Sequence, residues 1–198
     1  MSIVTTDMAM SLDGYAAGPR QRREAPFGDG PSGEITRWMF DAAEANSAEL
    51  ETVTGAAAYI MGRNMFGPDR GEYDLDWRGW WGPEPPYHAP VFVLGHHERE
   101  PLTLSDTTFT FVTGGIHEAL DLAREAAEGG RIDIAGGART VNQYLAAGLI
   151  DEIRVHVTPV IMGEGTRLFE GVRGVRLEQV AARGSDLVSH ITYRVLRD

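Results

Sequence analysis

The chain has 198 residues, 42% of them hydrophobic and 24% charged, a composition that supports one domain with a packed core. Its formal net charge is −11, so its average surface repels polyanions such as nucleic acids. All eighteen basic side chains are arginine, which excludes Schiff-base lysines and the lysine of a Walker-type phosphate loop, and the lack of cysteine excludes disulfides and thiolate-held metals.

No apolar run approaches the length of a membrane span, so no membrane partner is expected. Residues 1–7 lack a basic stretch followed by an apolar one, so no signal peptide is expected and the cytoplasm is the default location.

The first apolar segment, Ile3 to Met10, reads as a strand running into the glycine-punctuated loop 11–18. Residues 19–32 read as a loop. The spacing of Ile35, Met39 and Ala42 predicts a helix from Gly33 to about Ala45, with Ser32 as its N-cap. Ala56 to Met61 reads as a strand ending at Gly62, and residues 67–90 as an irregular insertion holding Trp77, Trp80 and Trp81. Two further strands are expected at 90–94 and 108–112. Then Ile116, Ala119, Leu120, Ala123 and Ala127 share one face of a helix that Thr113 is placed to cap.

A strand from Arg131 to Ala135 stops at Gly136-Gly137, and the following helix ends at Gly148. Asp151 to Met162 reads as a long strand, with Ile153, Val155 and Val157 alternating against Arg154, His156 and Thr158. Segments 175–182 and 187–196 read as an antiparallel hairpin. Strands alternating with helices predict an α/β fold: a mixed, mostly parallel sheet between helical layers, with that hairpin at its edge.

In such a sheet, ligands gather beyond the C-terminal strand ends. Gly62-Arg63-Asn64 offers close backbone approach and a cation there, or is a plain strand-to-helix turn. Gly136-Gly137-Ala138-Arg139-Thr140 places free N–H groups at a helix start, a ready pyrophosphate site, although it is not the G-x-G-x-x-G fingerprint. Leu94-Gly95-His96-His97 makes a poor chelate, because neighbouring residues on an extended chain point apart; no metal is expected. A histidine beside a nucleotide is the functional reading, a solvated loop the bland one.

Three groups are candidate acids or bases. Asp13 follows the first strand and precedes Gly14, which is also an ordinary turn pair. His156 lines a cleft or faces water. Glu164 stands in the turn Gly163-Glu164-Gly165-Thr166. Ser11 has no visible His–acid partners, so no hydrolase triad is expected. Trp77, Trp80 and Trp81 with Tyr73 either wall a pocket for a planar ring or anchor their own loop.

The ordered set Ser11-Leu12-Asp13-Gly14, Met61 to Phe66, Ile134 to Gly137 and Leu149 to Phe169 resembles the reductase domain of bifunctional riboflavin-biosynthesis enzymes and its stand-alone relatives, over nearly the whole chain. The resemblance implies a three-layer dihydrofolate-reductase-like fold in a single domain spanning 1–198. It also implies NADPH as cofactor and hydride transfer to a pyrimidinedione- or pterin-like heterocycle. By resemblance, Gly62, Arg63 and Asn64 form one phosphate grip, and Gly136, Gly137, Ala138, Arg139 and Thr140 the other. Leu94, Gly95 and His96 fall at the adenosine end, and Asp13 beside the nicotinamide. The chain departs from the family in carrying Met65 where a hydroxyl residue is common. The cysteine motif of the family's zinc deaminase domain does not occur, so that activity is not expected, and no folate-binding acid is assigned. The relatives also imply a homodimer paired through strand 151–162 and the C-terminal hairpin. The rival reading is a non-catalytic dinucleotide-binding protein of the same fold.

Overall fold

The computed structural model describes residues 2–68 and 70–197. The β-branched run of β1 (Val4–Ser11) leads into a short strand, β2 (Tyr15–Ala17). Next come α1 (Trp38–Asp41), α2 (Ser47–Thr54), β3 (Ala58–Gly62) and the single turn α3 (Arg63–Phe66). The middle of the chain gives β4 (Val91–Leu94), β5 (Leu102–Leu104), β6 (Thr107–Val112) and α4 (Gly115–Ala127). The last third gives β7 (Ile132–Gly136), α5 (Ala138–Ala146), β8 (Glu152–Thr158) and β9 (Thr166–Arg167), then the hairpin β10 (Arg176–Gly184) and β11 (Ser189–Leu196).

Nine strands form one sheet in the order β10-β11-β8-β1-β7-β3-β4-β6-β5. The six from β8 to β6 run parallel, and the two ends close with antiparallel pairs. This is the expected mixed sheet with a C-terminal hairpin.

Alternation along the strands sorts two interiors. Val4, Met8, Ile60, Ile134, Ile153 and Val155 meet Leu120, Ala123, Val141 and Tyr144 of α4 and α5 in the larger core. On the opposite face Tyr59, Met61, Val91 and Val93 meet Phe66, Tyr87 and Phe109. The insertion 67–90 supplies that second core: Trp81 stacks on Phe109 at 5.8 Å, and Trp77 Nε1 donates to the Phe66 carbonyl at 2.9 Å. Trp77 and Trp81 therefore anchor their own segment.

Several expectations need correction. The helix predicted over 33–45 is two 3₁₀ turns, Ser32–Ile35 and Glu44–Asn46, on either side of α1. In the first part of the segment Ser32, Ile35 and Trp38 are buried, spaced by three, which is the 3₁₀ repeat rather than 3.6. Ser32 is not a cap; its hydroxyl donates to the Gly28 carbonyl at 2.7 Å. Thr113 does not cap α4, because the N-cap position falls on Gly114, which has no side chain, and Gly115, at φ +89°, is the first residue of the helix. The long strand ends at Thr158, since Pro159 has no N–H to continue the ladder.

Candidate active site

The C-terminal ends of β1, β3, β4, β6, β7 and β8 face one edge of the sheet, and the predicted turns meet there. Strands β3 and β7 are neighbours, with Met61 opposite Gly136. A side chain at Gly62 would strike the Thr140 hydroxyl of α5, so the absent Cβ lets the second turn close on the first. Gly136 adopts φ +121°, a region that favours glycine, and its open face looks onto the sulfurs of Met8 and Met65. The Gly136–Gly137 peptide is cis.

Nothing crowds the α-carbon of Gly137, and no side chain caps the start of α5. An uncapped nine-residue helix thus presents its first N–H groups at the open sheet edge, next to an exposed Arg139. A helix start of this kind can receive an anionic group.

The Arg63 side is arranged differently. Its guanidinium donates to the carbonyls of Gly71 and Glu72, the latter at 3.0 Å, and stacks 3.9 Å over the Tyr73 ring. The Tyr73 hydroxyl lies where a side chain at Gly95 would come, 2.6 Å from that notional Cβ. His97 Nδ1 pairs with Glu72 at 3.0 Å, and Arg99 binds the carbonyls of Asp74, Leu75 and Trp77. Segment 71–77 is therefore fastened across the ends of β3, β4 and β6. His96 is exposed beside it, and Asn64 and Leu94 are half-buried.

Asp13 is a clasp. It accepts from the Ser11 hydroxyl at 2.7 Å, the Met162 N–H at 3.0 Å and the Gly163 N–H at 2.7 Å. These bonds, the Met162 N–H foremost, hold its carboxyl down at about 2. Loop 160–165 is thereby tied to the end of β1, with Glu164 exposed on it.

His156 is not at this edge. It is buried on the sheet face opposite α4 and α5, with its ring tilted against Trp38 at a centroid distance of 4.9 Å. Its Nδ1 lies 2.7 Å from His190 Nδ1, and His190 Nε2 lies 2.9 Å from Asn46 Oδ1. On its other side, His156 Nε2 stands 3.4 Å from Asp7 Oδ1. Arg154 binds the second Asp7 oxygen at 2.9 Å. Burial acts to raise the Asp7 carboxyl, but the adjoining imidazole and the Arg154 and Arg131 guanidiniums outweigh it and leave it lowered. Asp133, fully enclosed and close to Asp7, is raised well above the usual carboxylate range. Sequence reasoning missed Asp7, Asp133 and Arg131. The available signal was a charge in each of two strands that otherwise read as buried.

Among the described residues, no group of three or more His, Cys, Asp or Glu side chains is placed to hold a metal ion, and no helix is long and apolar enough to cross a membrane.

A model of the RibD C-terminal domain matches residues 2–189. The uncharacterized protein YwjB of Bacillus subtilis is 36% identical over 69 residues, a stretch that spans 35% of this chain and 39% of that relative. Among solved structures, a candidate riboflavin biosynthesis protein from Shewanella sp. PV-4 superposes with a TM-score of 0.68 at 23% identity, covering 98% of this chain and 99% of that one. Dihydrofolate reductase from Enterococcus faecalis, solved with NADP(H), superposes with a TM-score of 0.60 at 15% identity, covering 98% and 96%. At these identities the structural likeness is one of fold.

Proposed function

The chain belongs to the RibD C-terminal domain family, and from that premise we propose that it is a reductase that uses NADPH to reduce a small heterocycle of the pyrimidinedione or pterin kind. The observation that carries this reading is the uncapped start of α5 at Gly137, set against Gly62 at the open sheet edge. The dinucleotide supplies the hydride; the protein's part is to bind, orient and shield.

In this reading the N–H groups of Gly137, Ala138 and Arg139 take the pyrophosphate, with the Arg139 charge beside them. Thr140 and Gly136 shape that turn. Gly62, Arg63 and Asn64 border it, and Leu94, Gly95 and His96 receive the adenosine end. Arg63 reaches a phosphate once segment 71–77 gives up its guanidinium. Asp13 positions: its depressed carboxyl suits holding loop 160–165, not donating a proton at neutral pH. Glu164 on that loop and bound water are the proton sources we assign, and His156 lies too deep beside His190 to be first in line.

The test is titration of the protein with NADPH by calorimetry, followed by NADPH oxidation with a panel of pyrimidinediones and pteridines. Saturable binding with turnover of at least one heterocycle is the expected result. Binding without turnover across the panel favours a non-catalytic dinucleotide-binding protein; absence of binding removes both readings.

A further inference from the structure

Gly62 and Leu94 pair at the ends of β3 and β4, so the first glycine turn and the Leu94-Gly95-His96 turn lie side by side. In the reading given above, the adenosine end of the dinucleotide rests there. A ring of the protein's own already occupies the place, that of Tyr73.

Four neighbours define its seat. The Arg63 guanidinium lies over the ring at 3.9 Å. Phe111 and Phe66 meet it edge-to-face, with centroids 4.9 Å and 6.5 Å away. The hydroxyl ends against Gly95, where a side chain would evict it. That hydroxyl is buried and, among the described residues, has no hydrogen-bond partner. A phenol shut away in this manner loses the hydrogen bonds that water gave it. The seat therefore suits a planar ring, but not the polar end of this one.

The hold on the ring is local. Residues 71–73 lie outside every helix and strand, and Gly71 takes φ +79°. Arg99 fastens the carbonyls of Asp74, Leu75 and Trp77, and Trp77 is anchored on Phe66. Ahead of that anchor, Arg63 holds the Gly71 and Glu72 carbonyls, and His97 pairs with a largely exposed Glu72 carboxylate, a contact that solvent screens. A guanidinium has a face and an edge. The face of Arg63 carries Tyr73, and its N–H edge is spent on the two carbonyls. A nucleotide needs both, a face on which its base stacks and N–H groups for a phosphate.

We propose that Tyr73 is a built-in competitor for the adenine ring, an autoinhibitory contact that shuts the adenosine end until a nucleotide displaces it; this rests on the dinucleotide reading above. Displacement frees the seat and the Arg63 N–H groups in one movement. The apparent affinity for nucleotide is then lowered by the fraction of molecules that are open.

The experiment titrates ADP and inorganic pyrophosphate by calorimetry into the parent, Tyr73→Ala and Tyr73→Phe, each variant first matched to the parent by circular dichroism. Tyr73→Ala removes the competing ring and should bind ADP at least about fivefold tighter. Tyr73→Phe keeps the ring but drops the unsatisfied hydroxyl, which stabilises the shut form; it should bind ADP at least about fivefold weaker. A residue that only packs, or one that itself stacks on adenine, does not send the two variants in opposite directions. Pyrophosphate has no ring and should bind all three proteins alike at the start of α5. A second readout is ¹⁹F NMR of the protein carrying 3-fluorotyrosine, where the Tyr73 signal is the one of six that Tyr73→Phe lacks. Saturating ADP should move it to the position of a solvent-exposed tyrosine. A Tyr73 signal unmoved by bound ADP, or a Tyr73→Ala protein that binds ADP no tighter than the parent, overturns the competitor and leaves the dinucleotide site standing. Failure of both ADP and pyrophosphate to bind any of the three proteins overturns both.

Discussion

Asp13 Oδ2 accepts the backbone N–H of Gly163 at 2.7 Å, closing a contact between residues 150 apart in the chain. One carboxylate thereby ties the β8–β9 loop to the end of β1. Asp13→Asn keeps the shape but trades an anionic acceptor for a neutral amide. Amide hydrogen exchange at Met162 and Gly163 should speed up, with little change elsewhere. The folded carboxyl sits at about 2, below its unfolded value, so its contribution is complete above pH ~4 and lost as pH falls toward 2. The activity profile between pH 5 and 8 should accordingly show no ionisation that Asp13→Asn removes. An ionisation that disappears in the variant would make Asp13 a proton donor after all.

Gly62 of the first turn packs directly under Thr140 of the second. A methyl at position 62 would strike the Thr140 hydroxyl, so Gly62→Ala should cost about 1–3 kcal/mol, as overpacking typically does. Thr140→Ala removes that oxygen. In a double-mutant cycle measured by urea unfolding, most of the cost should vanish in the Thr140→Ala background. Additive losses would mean that Gly62 matters for its backbone and not for this contact.

Most of the sheet was legible because its strands carry their own period. Ile153, Val155 and Val157 alternate with polar residues, and Ile116 to Ala127 trace one helical stripe. What escaped had no such period. Helix α2 buries none of its residues completely, so hydrophobic spacing gives no sign of it. Strand β5 is three residues long and is visible only through the Ser105-Asp106 turn that pairs it with β6. The glycine turns of the candidate site were legible from their place at strand ends. The fastening of Arg63 by Gly71 and Glu72 was not, because backbone carbonyls of an irregular segment leave no pattern in sequence.

His190 should make the protein acid-sensitive. Its folded value of about 4 lies below the unfolded value of about 6.5, so between these the unfolded chain binds the extra proton. Stability should hold above pH 6.5 and decline as pH falls toward 4. The local consequence is specific: a proton on His190 places its charge beside His156 Nδ1, 2.7 Å away. Denaturant midpoints measured from pH 7 to pH 4 for the parent and His190→Gln should converge at the acid end. Parallel curves would show that other groups set the acid limit.

Arg139 and Arg63 should respond differently although both stand at the sheet edge. Arg139 is exposed at the start of α5, and Arg139→Ala should weaken NADPH by about 1–3 kcal/mol, the usual loss for a charge-assisted bond. Arg63 is engaged by the carbonyls of Gly71 and Glu72, so Arg63→Ala should first loosen segment 71–77. Faster hydrogen exchange across 71–77, seen without cofactor, is the measurement. Protection there that is unchanged in Arg63→Ala would show that Arg99 and Trp77 hold the segment by themselves.

The hairpin carries the last prediction. Strand β10 is the outermost of the nine and, among the described residues, pairs only with β11, and every one of its residues is exposed. Leu177 and Val180 stand 40% and 49% exposed along it, with Leu196 of β11 at 40%. Apolar side chains on an edge strand are the kind of surface that natural sheets cover, charge or twist away. A register shift between Gln179 and Ala181 bends the strand at Val180, which disfavours simple edge-to-edge addition and favours packing through the face. The homodimer implied by the family resemblance would cover this surface. Light scattering at micromolar concentration should give twice the chain mass of 21.6 kDa. Val180→Lys places a charge in the middle of the exposed strand and should yield a monomer with an unchanged circular dichroism spectrum. A monomeric mass for the parent chain, or a dimer that survives Val180→Lys together with Leu177→Lys, would exclude the hairpin as the pairing surface.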